Sequence, residues 1–113
     1  MDSTEQYNEI LQKTDELALM LKSHPFSIRY INALSYIKND EKAKDLYNRL
    51  VKIGKMIAET KDTGQALDDN FIIENEKLGK ELSDSPIVKE FVEAQKQYFE
   101  MMAAIQKKII IIS

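Results

Sequence analysis

Residues 86–112 read PIVKEFVEAQKQYFEMMAAIQKKIIII, and this stretch decides the fold. Val88, Phe91, Gln95, Tyr98, Met102, Ile105, Ile109 and Ile112 follow one another at alternating spacings of three and four. That seven-residue repeat draws one apolar seam down one side of a helix. A helix of this length runs about 40 Å at roughly 1.5 Å per residue, longer than a compact domain of 113 residues is wide. It cannot bury its seam alone, so other helices or a second chain must cover it.

Upstream, Ser83-Asp84-Ser85-Pro86 is a helix start, because proline suits a helix's first turn and breaks its interior. The same start occurs at Ser23-His24-Pro25, which ends a first helix read over 4–22 and opens a second. Pro25-Phe26, Tyr30-Ile31 and Ala33 echo Pro86-Ile87, Phe91-Val92 and Ala94 at a constant offset of 61. We read the echo as one helix-start solution used twice, since a single match is too short for a repeat array. The first helix has Tyr7, Ile10, Thr14, Leu17 and Leu21 as its stripe, widened by Leu19 and Met20. Ser3 with Gln6 is its expected capping box, and the broad stripe predicts cover on more than one side. The second helix presents Phe26, Tyr30, Ala33, Leu34 and Ile37.

Between these two starts lies a helical hairpin. Asn39 and Asp40 can both cap a third helix, expected over 41–60. Its seam is Ala43, Leu46, Leu50, Ile53 and Ile57, with a second stripe of Tyr47, Val51, Gly54 and Ala58 that predicts two neighbours. Lys61-Asp62-Thr63-Gly64 reads as a turn, with Gly64 suited to the left-handed position after a helix. A fourth helix, 68–82, turns Leu67, Phe71, Leu78 and Leu82 inward, with Asn75 interrupting and Asp68 and Asp69 at its positive end. So short a connection makes helices three and four antiparallel. Residues 41–61 hold six basic and three acidic side chains, and residues 62–100 hold four and ten, so facing helices carry opposite charge, which sets register and partner choice. The expectation is one domain over 1–113, all-α, of about five helices, with a long antiparallel hairpin and a long C-terminal helix.

Composition removes most chemistry. There is no cysteine, which excludes disulfides, thiolate nucleophiles and cysteine-bound zinc or iron–sulfur centres. His24 is the single histidine and is read as structural or surface. The acidic set Asp68, Asp69, Glu74 and Glu76 lacks the Glu-x-x-His pattern of a bundle metal site and reads as a solvated face. No Gly-x-Ser-x-Gly turn and no glycine-rich phosphate loop occurs. We expect neither an enzyme nor a cofactor. A net charge of −3 argues against nucleic acid as partner. Lys42, Lys44, Arg49, Lys52, Lys55 and Lys61 suit a helix facing an acidic neighbour better than an RNA strip, because they are not confined to one narrow arc. The acidic N-terminus shows no signal peptide, and Ile109 to Ile112, the longest aliphatic run, is far short of a membrane span. The expected location is cytoplasmic.

What remains is a surface. Met101 and Met102 pack adaptably, and four consecutive isoleucines point to more than one side of a helix. They end either in a homo-oligomer or partner interface or in a partly covered helix end. The expected interface comprises Val88, Phe91, Tyr98, Met101, Met102, Ile105 and Ile109.

The layout as a whole resembles a known family. Asp40-Glu41-Lys42-Ala43 with Leu46-Tyr47, and Ser85-Pro86-Ile87-Val88 with Phe91, are similar to segments of the YlbF/YmcA family of small helical bacterial proteins. The resemblance implies an all-α fold with a long hairpin, self-association as a homodimer or higher homo-oligomer, and no enzymatic activity. It further implies a regulatory role: the best-known relatives act in a complex that modulates RNase Y, with effects on mRNA processing, competence, biofilm formation and sporulation. RNase Y or sister family members are the partners it suggests. Those relatives bind iron–sulfur clusters through cysteines, and a chain without cysteine does not inherit that role. Two other function classes stand beside the adaptor: a structural helical homo-oligomer without a regulatory partner, and a direct RNA-binding module.

Overall fold

The structure is a computed structural model, and it describes residues 2–64 and 68–110. Five helices follow in order: α1 (Ser3–Ser23), α2 (Pro25–Lys38), α3 (Glu41–Thr63), α4 (Asp69–Ser83) and α5 (Pro86–Ile109). There is no strand among the described residues. The all-α fold predicted from periodicity is the fold observed.

Every helix opens on a side-chain acceptor, which is why the boundaries fall where they do. Asp40 accepts from the Ala43 N–H at 2.8 Å, and Asp68 accepts from that of Phe71 at 2.7 Å. Ser85 serves Val88 at 3.3 Å, one residue before Pro86 at the first helical position. His24 Nδ1 accepts from the Phe26 N–H at 3.1 Å, so the single histidine is the cap of α2. Gly64 closes α3 with φ 71°, the left-handed conformation expected of it.

α1 and α2 join at His24 and run together in the opposite direction to α5. Ile10 and Leu17 share a groove with Ile109, Leu21 and Ser27 share another with Tyr98, and Arg29 reaches Glu90. The hairpin of α3 and α4 is antiparallel: Arg49 pairs with Glu81 at 2.7 Å, and further out Lys52 and Met56 share a hollow with Glu74 and Lys77. The molecule is long and thin, 64 × 36 × 17 Å. Its core lies where α2, α3, α4 and α5 meet, built from Ala33, Ile37, Ala43, Leu46, Leu78, Val88, Phe91 and Ala94. Phe91 is 1% exposed, with Tyr30 of α2 at 5.7 Å between ring centroids and Tyr47 of α3 edge-on at 5.0 Å. Ala33 and Ala94, at 2% and 0% exposed, are the small residues that let α2 and α5 approach.

The echo at offset 61 has a physical meaning here. Two similar helices that cross antiparallel bring equivalent positions together near the crossing point, and there Tyr30 meets Phe91 and Arg29 meets Glu90.

Four expectations are corrected. Asp2, not Ser3, caps α1, accepting from the Glu5 N–H at 2.8 Å, because a carboxylate is the better acceptor at a positive helix end. Lys61 to Thr63 continue α3 and are not a turn. The hydroxyl of Thr63 bonds back to the Glu59 carbonyl, and the chain turns at Gly64. The second stripe of α3 finds a neighbour only at Tyr47; Val51, Gly54 and Ala58 are exposed, and a Cβ on Gly54 would meet nothing within 4 Å. Finally, α1 has no buried residue, so its broad stripe is not covered on two sides by its own chain. Of the inward set proposed for α4, Phe71 and Leu78 are buried and Leu82 half-buried, while Leu67 lies outside the described residues.

Two substitutions separate core from surface in a urea titration. Phe91→Ala is expected to cost about 3–5 kcal/mol. Gly54→Ala is expected to stabilise by about 0.4–1 kcal/mol through helix propensity and unfolded-state entropy; a loss instead would show that something covers Gly54.

Candidate functional site

The seam of α5 divides into two unlike halves. Val88 and Phe91 are each 1% exposed and fill the core of their own chain, where no partner reaches them. Tyr98 is half-buried and stacks on Tyr30 at 4.8 Å and 21°. Met101, Met102 and Ile105 are half-buried, Ile109 is 60% exposed, and Ile112 with Ile111 lies outside the described residues. Of the predicted interface residues, Tyr98, Met101, Met102, Ile105 and Ile109 thus come together on one open stretch.

α1 supplies the other wall. Tyr7 at 61%, Ile10, Leu11, Leu19 and Met20 are all exposed. α1 and α5 have no Cα atoms within 8 Å of each other among the described residues. Directly packed helices have axes about 8–10 Å apart, so these two are splayed. Between them lies a groove of about 480 Å³ lined by Ile10, Thr14, Leu17 and Ile109, with Gln6, Glu9 and Lys13 at its edge. Phe99 at 53% and Ile110 extend the apolar surface on the far flank of α5.

Beside the V, Arg29 ties α2 to α5. Its Nε donates to Glu90 Oε2 at 2.8 Å, Nη1 to Gln97 Oε1 at 3.2 Å and Nη2 to Glu93 Oε2 at 3.3 Å. One side chain of α2 thereby grips about two turns of α5. The hydrogen bond from Arg29, assisted by its charge, holds the Glu90 carboxyl below its ordinary value against the opposing effect of desolvation. The same contact raises the Arg29 pKa further. Sequence reasoning missed Arg29. A signal existed: the chain has only two arginines among sixteen basic residues, and Arg29 and Arg49 both form inter-helix ion pairs. Planar guanidinium is the cation suited to that task.

Two smaller features lie on the hairpin side. An apolar hollow is lined by Leu50, Leu82, Val88 and Val92, with Lys89 and Glu93 at its rim. The basic residues of α3 remain dispersed, and Arg49 is shared between Asp45 and Glu81.

Among the described residues no three His, Asp or Glu side chains gather where they could hold a metal, and no helix is long and apolar enough to cross a membrane. An iron–sulfur cluster bound through cysteines does not fit a chain that has none.

A helical hairpin carried beside a long helix, with an open apolar V at the far end, defines an all-α helical domain. The chain belongs to the family described as "Control of competence regulator ComK, YlbF/YmcA", whose model matches residues 10–111. It is similar to a UPF0342 protein of Lactobacillus gasseri, with 26% identity over 106 residues, covering 94% of this chain and 82% of that protein.

The Glu90 contact gives a signed pH effect. A carboxyl whose folded pKa lies below its ordinary 4.5 contributes stability that is fully present above that value. The contribution is lost as pH falls through the lowered folded pKa. Glu90→Gln is therefore expected to flatten the acid limb of a plot of urea midpoint against pH. An unchanged acid limb would show that the ionisation of Glu90 is not linked to folding.

Proposed function

We propose that this chain is a non-enzymatic regulatory adaptor of the cytoplasm that acts by protein–protein contact and assembles as a homodimer or higher homo-oligomer. The observation that carries the reading is α1: a helix of 21 residues with no buried side chain. Helices are marginal in water without tertiary packing, and exposed Tyr7, Ile10, Leu11, Leu19 and Met20 give this one a strong reason to be covered. Ile109 of α5 lines the groove beside Ile10 and Leu17, and Met101, Met102 and Ile105 on the same helix are half-buried. Family membership supports the regulatory part, since the family is described by control of the competence regulator ComK. RNase Y or a sister family member is the partner that the resemblance favours. The dispersed basic residues of α3 and the net charge of −3 weigh against direct RNA binding.

Met102→Glu with Ile105→Lys is expected to reduce the solution mass to that of one chain while the far-ultraviolet circular dichroism stays helical. An unchanged mass would remove this surface from the assembly. The partner is tested by affinity capture from the native lysate, split into nuclease-treated and untreated halves. Recovery of RNase Y or a sister protein from both halves supports the adaptor. Recovery lost on nuclease treatment indicates an RNA bridge, and recovery of the chain alone leaves a structural homo-oligomer.

A further inference from the structure

We propose that the α1–α5 pair is closed by the same pair of a second copy, whose α1 packs on the flank of α5 away from its own α1, so that two copies make a four-helix bundle in the order α1, α5, partner α1, partner α5. This deepens the homo-oligomer reading above and rests on it. The geometry leaves one flank of α5 for the newcomer. α1 of the same chain stands over Ile109, whereas Phe99 and Ile110 remain more than half exposed, with Met102 and Gln106 between them at helical spacing. That flank is a strip at spacings of three, four and four, apolar apart from Gln106, matched to the exposed strip of Tyr7, Leu11, Thr14 and Ala18 on α1. Ridges so spaced interlock at the shallow crossing angle of a bundle.

Charge selects a second copy as the occupant and also fixes its direction. α1 carries Asp2, Glu5, Glu9, Asp15 and Glu16 against Lys13 and Lys22. The distal part of α5 carries Lys96, Lys107 and Lys108 against Glu100. Among the described residues the only ion pair of α1 is its internal Lys13–Glu16 contact at 3.7 Å, so its acidic first half and the Lys107–Lys108 end remain available to each other's copies. An incoming α1 that runs antiparallel to α5 brings Glu5 and Glu9 toward those lysines. It also opposes the two helix dipoles. The partner's α5 then covers the outer face of the first copy's α1, and both unpartnered stripes close at once. The two-fold axis runs along the bundle, and the two α5 helices are diagonal to each other.

A chain without cysteine makes the test clean. Thr14→Cys and Gln106→Cys are placed on separate, differently tagged chains, co-expressed, and treated with a short bis-maleimide while the solution mass is measured. The expected result is a mixed Thr14→Cys/Gln106→Cys product formed several-fold faster than either self-linked product. A dimeric mass in which Gln106→Cys links faster to itself places α5 against α5 and overturns the exchange of α1. A dimeric mass with no linkage through Thr14→Cys also overturns it, while leaving the homo-oligomer reading intact. A mass of one chain at all concentrations overturns the homo-oligomer reading itself.

Discussion

The contact on which this structure depends is the antiparallel crossing of α2 and α5 at Ala33 and Ala94. Two side chains of minimal volume are 2% and 0% exposed there, so the helix backbones approach closely. Larger residues on either side, Tyr30, Val88 and Phe91, fill the flanking space. Tyr47 reaches Phe91 from α3 and Leu78 joins the same cluster from α4, so the hairpin is seated on the same ring that α2 touches. Take away that crossing and the four helices lose their shared core. Arg29 then ties α2 to Glu90, Glu93 and Gln97 of α5.

Beyond that grip the physics changes. α5 continues past Tyr98 into space where its own chain supplies only half a cover, and α1 leaves the His24 bend without burying a single residue. The same heptad seam therefore serves two purposes along one helix. Its first half, Val88 and Phe91, makes the domain, and its second half, Met101 to Ile109, makes a surface. Burying an apolar side chain is worth about 1.5–3 kcal/mol, so an arm carrying five large exposed apolar residues has a considerable drive toward a partner. That drive is the physical basis of the adaptor proposed above.

Much of this was legible from residues. Three-four spacing fixed all five helices, and proline, aspartate and glycine placed their ends to within a few residues. The echo at offset 61 was visible in Tyr30 and Phe91, although only a structure shows that the echoed positions touch. What the residues did not disclose is tertiary. Periodicity marks Phe91 and Ile109 alike as seam, because a heptad records which side of a helix is apolar and not what covers it. The α1 stripe predicts cover without saying whose, and Gly54 allows a close neighbour without requiring one. Arg29 was missed because one charged residue on a helix has no periodic signature; its meaning comes from carboxylates sixty-one and sixty-four positions away.

The central claim is that α1 is stabilised by another copy and not by its own chain. Amide hydrogen exchange of the α1 backbone, followed as protein concentration is lowered, tests it most directly. Slow exchange in α1 at high concentration, giving way to fast exchange on dilution while the amides around Phe91 and Leu78 stay protected, is the expected result. Protection of α1 that is independent of concentration, or absent at every concentration, would contradict it.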